Sequence, residues 1–210
     1  MQLSSPDFQD QQAIPGEFAF GVVDPVNHIT LSTNRNPALR WSGLPEATRS
    51  LVLICHDPDV PSSADDVNQE GRTVPADLPR MDFFHWVLVD LPPIPAEIHA
   101  GEFSEGIRGA EKQPQGPRGT RQGLNTYTLW FQGDPEMGAN YFGYDGPCPP
   151  WNDSIVHRYV FSLYALDVER CPVEGEFDGE AVRNAIQGHV LAEASLTGLY
   201  SLNPAVPASP

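Results

Sequence analysis

The chain has 210 residues, 28 of them acidic and 12 basic, which gives a formal net charge of −16 at pH 7. Such an acidic chain is a poor match for nucleic acid, which proteins bind largely through Lys and Arg, and for anionic lipid surfaces. Three widely spaced cysteines give neither a disulfide framework nor a metal-binding pattern. No apolar run approaches the roughly 18 residues of a membrane span, and the first residues lack signal-peptide features. We therefore expect a cytoplasmic protein without a transmembrane segment, metal or other cofactor.

The chain is long enough to bury one sizeable core, and no linker separates two periodic regions. We predict a single domain over residues 1–210, with a loosely held lead-in at 1–16 and a disordered tail from about 203 to 210. Short apolar pieces between 17 and 31 predict brief strands. Trp41, between turn residues, is predicted to pack in the core or under a flap.

The first strong strand signal is the apolar run LVLIC, residues 51–55, which is typical of a strand buried on both faces. It leads into DPDVP, where Pro58 and Pro61 are predicted to end the ladder of hydrogen bonds. Asp57 and Asp59 would then lie on a rigid elbow at the end of a central strand. The alternative is an Asp-rich turn in which each side chain caps its own backbone.

A polar stretch from 62 to 82 predicts a long solvent-exposed loop before a second strand, FFHWVLVDL. Strict alternation puts Phe83, His85, Val87 and Val89 on one face of that strand and the residues between them on the other. A histidine in such a strand is most often a core residue that makes one hydrogen bond. For His85 that alternative to a functional role stays open.

Residues 92–125 are rich in Gly and Pro and predict a long loop, typical of a functional or mobile segment. It contains three basic side chains that are predicted to be solvated, one of which could reach an anionic ligand: Arg108, Arg118 and Arg121. The piece TYTLWF, 126–131, predicts a short strand or the lip of a pocket. Near the end, Asp178 is predicted to cap a helix over 179–196, because apolar residues recur there every four positions.

The most informative stretch is 140–166, a loop dense in Gly and Pro followed by a strand. Gly143 and Gly146 permit a close approach of the backbone to a ligand, while the prolines stiffen the loop. In the strand, His157 and Tyr159 begin the same face as Phe161 and Leu163. This is where we expect a pocket.

Three kinds of chemistry fit a site built from Asp57, Asp59, His85, His157 and Tyr159. One is a small pocket for a phosphate group, in which imidazole, hydroxyl and loop amides donate hydrogen bonds and an Asp orients a His or receives a cation. The second is a metal site of two His and one carboxylate. The third is an acid–base hydrolase. No motif supports the last two, so a binding pocket is the simplest interpretation.

Four ordered motifs resemble the phosphatidylethanolamine-binding protein family, in particular its bacterial Raf-kinase-inhibitor-like branch: DPDVP, FHWVLVDLP, GYDGPCPP and HRYVFSLYALD. The resemblance covers nearly the whole chain. It implies a mainly β fold, with a large antiparallel sheet packed on a smaller sheet and a few peripheral helices. It also implies a shallow anion pocket at the matching positions here, which are Asp57, Asp59, Pro61, His85, Gly143, Tyr144, Gly146, Pro147, His157 and Tyr159. Two segments, 62–82 and 121–140, are longer than is usual in the family.

We therefore expect a non-enzymatic protein with no catalytic residues that binds a phosphate-containing small molecule or a phospholipid headgroup. The alternatives are a metal-assisted hydrolase using Asp57, His85 and His157, and a regulator that binds another protein through its acidic loops. A homodimer is plausible from the bacterial relatives. Inhibition of a kinase is not carried over to this chain.

Overall fold

The structure is a computed structural model that describes residues 1–107 and 109–208, so Arg108 and the last two residues of the predicted tail lie outside it. Its eleven strands are, in chain order, β1 Gln2–Ser4, β2 Gln12–Ala13, β3 Gly21–Asp24, β4 His28–Leu31, β5 Leu39–Ser42, β6 Ser50–Pro61, β7 Arg80–Leu91, β8 Glu97–Ile98, β9 Arg121–Gln122, β10 His157–Leu166 and β11 Val190–Tyr200. Its two α-helices are α1 Tyr127–Trp130 and α2 Gly179–Ala185. Three short 3-10 turns lie at Gly16–Phe18, Gly109–Glu111 and Pro117–Gly119. The predicted mainly β class is confirmed.

The strands form one large sheet and two small ones. The large sheet has the order β2-β11-β10-β6-β7-β9, and its pairings are antiparallel except for the short contact of β2 with β11. A three-stranded sheet, β1-β5-β8, packs on one face, while β3 and β4 form a separate hairpin. Trp41 of β5 is buried in the core between the two larger sheets, as predicted. The other face of the large sheet is covered by α2 and the segment before it.

The central strands β6, β7 and β10 are buried on both faces, which explains their continuous apolar sequences. The predicted strand at 51–55 and the predicted inward row of Tyr159, Phe161 and Leu163 are confirmed. The prediction that the prolines end β6 is wrong, because β6 continues to Pro61. Beyond His56 it no longer pairs with β10 and follows only β7. A proline is tolerated there because one side of the strand no longer needs its N–H groups.

The predicted alternation along β7 is confirmed for residues 86–89, but Phe84 lies on the opposite face from the one predicted. A bulge, at which Cys55 pairs with Trp86 but His56 pairs with Phe84, inserts one extra residue into β7. Trp86 and Leu88 therefore point into the main core, whereas Phe84 and Val87 pack under α2. The hydrophobic pattern alone does not show the bulge because every one of these residues is apolar.

The predicted helix over 179–196 is only partly correct. Asp178 Oδ1 accepts a hydrogen bond from the Ala181 amide at 2.9 Å, so the predicted N-cap is confirmed. The helix ends at Ala185, Gly188 has a positive φ of 86°, and β11 then pairs with β10 along its length. Apolar residues spaced by four fall on one face of a strand as well as on one stripe of a helix, so the spacing did not separate the two.

Three segments are more ordered than the sequence indicates. The lead-in at 1–16 contributes β1 and β2 to two sheets. The predicted solvent loop at 62–82 buries Val67 and Val74 and has its last residues in β7. TYTLWF forms α1, not a strand. No helix among residues 1–107 and 109–208 is long and apolar enough to cross a membrane.

Candidate functional site

A cavity of about 110 Å³ opens where β6 and β10 separate. Its walls are largely apolar, and its polar contributions from the sheet come from Asp57 of β6, His85 of β7 and Tyr159 of β10. The remaining lining residues are Phe20, Val60, Pro61, Ala64, Val67, Asn68, Phe83, Tyr127, Trp130, Phe131, Cys148, Pro149 and Pro150. Pockets with apolar walls and a few convergent polar groups are the usual form of a small-molecule site.

His157 lies behind this cavity, fully buried between two carboxylates. Its Nδ1 donates to Asp57 Oδ2 at 2.7 Å and its Nε2 to Asp153 Oδ2 at 3.0 Å. Burial on its own would lower the pKa of His157, but the charges and hydrogen bonds of Asp57 and Asp153 outweigh it and raise the pKa to about 9. The imidazole is therefore an imidazolium at neutral pH, and neither ring nitrogen is free for a ligand.

The charges of this cluster are balanced. Arg80 donates to both oxygens of Asp153, at 2.6 and 3.1 Å, so the imidazolium and the guanidinium together offset Asp57 and Asp153. Burial tends to raise the pKa of Asp153, yet the hydrogen bonds from His157 and Arg80 hold it below its usual value. A paired cluster of this kind fixes the position of Asp57 at the cavity wall.

Asp59 has a different role from Asp57. Its carboxylate accepts two hydrogen bonds from the Arg158 guanidinium, at 2.9 and 2.7 Å, and one from the Arg158 amide. These bonds bridge β6 to β10 beyond the point where the backbones stop pairing. Asp59 does not line the cavity; it holds β6 and β10 together beside the site.

His85 is buried at the cavity wall in a fixed orientation. Its Nδ1 lies 2.7 Å from the Asp145 carbonyl oxygen, and its own carbonyl accepts from the Asp145 amide at 2.9 Å. Because a carbonyl oxygen only accepts, Nδ1 carries the proton. Burial lowers the pKa of His85 to about 4, against the opposing charge of Asp57, so the ring is neutral at pH 7.

Tyr159 brings to the cavity a hydroxyl that lies near Asp57 but completes no hydrogen bond with it. The residue is 1% exposed, and its oxygen has no completed hydrogen bond within the described part of the chain. Burial raises the pKa of this hydroxyl well above its usual value, and the nearby Asp57 carboxylate adds to the effect. A buried polar group without a partner is rare in proteins and calls for an explanation.

Aromatic rings form the rest of the wall. Tyr127 of α1 stacks on Phe20, with ring centroids 4.5 Å apart, and its ring edge meets Phe83 and His85. Trp130 and Phe131 follow at the mouth, and Trp130 is half exposed. Such packed rings hold the polar groups in place and exclude water from one side of the cavity.

The Gly-Pro loop lines the cavity with Cys148, Pro149 and Pro150, while its earlier part supports the site from outside. Gly143 packs against the Gln122 side chain with φ at 77°, and Gly146 against the Phe18 carbonyl, where a side chain has no room. Pro147 accepts backbone hydrogen bonds from two residues, and the Tyr144 hydroxyl donates to the Phe18 carbonyl at 2.6 Å. The structure thus does not bring these four predicted site residues to the cavity surface. Their part in binding stays a prediction.

Several residues at the site were not singled out in the sequence. Tyr127 could have been found, because its segment was already a candidate pocket lip. Arg80 and Asp145 carry no local signal, since their partners, Asp153 and His85, lie far away in the chain. Asp153 is only four residues before His157, but it was not singled out in the sequence. Arg118 and Arg121, predicted to be solvated, make ion pairs with Glu102 and Asp90. No group of His, Cys, Asp and Glu within the described ranges is arranged to hold a metal ion.

A mainly β fold with a small pocket between β6, β7 and β10 is a fold of the binding-protein type. The profile of the family described as "Phosphatidylethanolamine-binding protein" matches residues 4–201, and the chain belongs to this family. A relative from Methanothermobacter thermautotrophicus, named UPF0098 protein, is 33% identical over 200 residues, which are 95% of this chain and 98% of the relative. The UPF0098 protein YbhB of Escherichia coli is 29% identical over 96% of this chain and its own whole length.

Two solved structures share the fold. One is the putative phosphatidylethanolamine-binding protein homolog CT736 of Chlamydia trachomatis, with 28% identity and a TM-score of 0.64 over 95% of this chain and 96% of its own. The other is YbcL of Escherichia coli, described as a member of the mammalian family, with 24% identity and a TM-score of 0.64 over 95% of this chain and 97% of its own. The expected family and fold are confirmed. The YbcL likeness concerns the fold alone.

Proposed function

We propose that this protein binds phosphate-bearing ligands in the cavity between β6, β7 and β10, and that it does so without catalysing a reaction. The buried hydroxyl of Tyr159 carries the proposal, because it completes no hydrogen bond within the described residues, although Asp57 is near, and because His85 lines the same cavity. An anionic oxygen accepting from this hydroxyl would remove the cost of leaving it unpaired.

The surroundings of the cavity favour binding over hydrolysis. A metal-assisted reaction would need nitrogen ligands from His85 and His157, but both nitrogens of His157 are bonded to carboxylates and Nδ1 of His85 to a carbonyl. Acid–base chemistry with His157 would have to break a balanced, buried ion-pair cluster, at a cost of several kcal/mol. The cluster instead serves to hold Asp57 and the pocket wall rigid.

Isothermal titration calorimetry with inorganic phosphate and with phosphoethanolamine tests the proposal. Wild type is expected to bind both, and Tyr159→Phe to bind each at least tenfold more weakly, since a hydrogen bond to a charged group contributes about 1.5–3 kcal/mol. Tyr200→Phe is the matched control, because its hydroxyl is buried but donates to the Gly21 carbonyl and the residue does not line the cavity. Equal affinity of wild type and Tyr159→Phe would contradict the role of the hydroxyl.

Vesicles containing phosphatidylethanolamine distinguish a phospholipid headgroup from a free phosphomonoester. Co-sedimentation that is lost in Tyr159→Phe would assign the cavity to the lipid headgroup. Binding of soluble phosphoethanolamine without co-sedimentation would assign it to a small molecule. A protein partner and a homodimer stay predictions.

A further inference from the structure

We propose that the cavity takes up a phosphomonoester together with one proton, in the form of its hydrogen-phosphate monoanion. This inference rests on the proposed function and adds the protonation state of the bound ligand. It follows from the orientation of His85. With its Nδ1 proton committed to the Asp145 carbonyl, the neutral ring has only the lone pair of Nε2 left for a ligand.

The cavity provides no unpaired positive charge within the described part of the chain. The titratable groups around His85 are Asp57 from β6, His157 and Tyr159 from β10, Tyr127 from α1, and Asp145 and Cys148 from the loop before β10. The imidazolium of His157 is held between two carboxylates, and Asp145 is paired with Lys112 at 2.7 Å. A phosphate dianion would therefore meet the Asp57 carboxylate and the Nε2 lone pair without a free cation to offset them.

A monoanion fits the same groups. Its P–OH can donate to His85 Nε2, while one of its other oxygens accepts from the Tyr159 hydroxyl, which completes no hydrogen bond within the described residues. A phosphomonoester loses its second proton with a pKa of about 6, so most of the free ligand at pH 7.5 is dianionic. One proton must then come from the solvent and lie between the phosphate oxygen and His85 in the complex.

Methyl phosphate and methyl sulfate are suitable probes because they have similar shapes, while the sulfate carries one negative charge and has no acidic proton. Calorimetry of methyl phosphate at pH 7.5, in two non-phosphate buffers with different heats of ionisation, counts the protons taken up. We expect nearly one proton per ligand and a Kd that rises about tenfold per pH unit above pH 7. Methyl sulfate should bind at least tenfold more weakly than methyl phosphate at pH 6.

Two variants locate the proton. His85→Gln offers an amide N–H in place of the lone pair. We therefore expect that this variant takes up no proton on binding methyl phosphate and that it no longer discriminates against methyl sulfate. Tyr159→Phe keeps His85 and should retain the uptake of one proton while binding more weakly. Binding without proton uptake, or equal affinity for the two probes, would overturn this inference alone. Failure of wild type to bind methyl phosphate at any pH would overturn the proposed function as well.

Discussion

The imidazole of His157 bridges Asp57 and Asp153, with its two nitrogens 2.7 and 3.0 Å from their oxygens. Asp57 lies in the part of β6 that no longer pairs with β10, and Asp153 is in the loop before β10, so this ring joins the pocket wall to the Gly-Pro loop. Asp57 and Asp153 are far apart in the chain, and the sheet brings them together by pairing β6 with β10.

The two buried histidines predict a stability maximum near pH 6.5. The pKa of His157 is raised to about 9. Its contribution to the free energy of unfolding is therefore complete below about pH 6.5 and is lost as the pH rises towards 9. The pKa of His85 is lowered to about 4, so its protonation in the unfolded chain costs stability as the pH falls below 6.5. Urea unfolding in non-phosphate buffers should show a decrease of about 2 kcal/mol at both pH 5 and pH 8.

Single variants separate the two arms of that profile. His157→Gln should abolish the loss of stability above pH 6.5. It should also destabilise the protein by about 3–5 kcal/mol, because two carboxylates lose a buried counter-charge. His85→Gln should abolish the part of the stability loss below pH 6.5 that comes from His85. A wild-type profile that is flat between pH 5 and 8 would show that neither pKa shift exists.

Removing the Tyr159 hydroxyl should not destabilise the unliganded protein. Tyr159→Phe deletes a buried oxygen that completes no hydrogen bond and lies near the Asp57 carboxylate, so the free energy of unfolding of the variant is expected to be unchanged or higher by up to about 1 kcal/mol. Tyr144→Phe deletes an oxygen that donates to the Phe18 carbonyl and should cost about 1–3 kcal/mol. Equilibrium unfolding without phosphate measures both. A larger loss for Tyr159→Phe than for Tyr144→Phe would mean that the Tyr159 hydroxyl has a structural partner.

Asn152 should control the order of the 62–79 connection at the cavity mouth. Its Nδ2 lies 2.8–3.3 Å from three backbone carbonyls in that connection, and its Oδ1 accepts from the Asn68 amide. Asn152→Ala is expected to increase hydrogen exchange over 62–79 while the central strands stay protected. Asn140→Ala, at an exposed residue with one 3.4 Å contact, is the control. Unchanged exchange in Asn152→Ala would show that other contacts hold the connection.

Gly146 should tolerate no side chain, because a Cβ there would collide with the Phe18 carbonyl. Gly146→Ala is expected to lower the free energy of unfolding by more than about 2 kcal/mol, since backbone must move to admit the methyl group. At Gly175, which has φ of 64° and open space, substitution by Asn should cost much less. Thermal unfolding compares the two. Similar losses of stability in the two variants would show that Gly146→Ala acts by restricting the backbone and not through a collision of the new Cβ atom.

Much of the site's framework could be predicted from local sequence. The continuous apolar run at 51–55 and the alternation after His157 identify buried strands, because strand periodicity and burial are local properties. The motifs marked four residues that do line the cavity: Asp57, Pro61, His85 and Tyr159. The roles of Asp59 and His157 were not visible, since each depends on a partner whose position only the folded chain fixes.

The sequence by itself determined the mainly β class and the family, because both follow from the types of residues and their order along the chain. Only the tertiary structure decided where β6 and β10 part and which polar atoms are left without partners there. It also decided that a four-residue apolar spacing after Gly188 becomes β11, because β10 offers that segment an edge to pair with. Pairing and burial are relations between distant residues, and local patterns are compatible with more than one such relation.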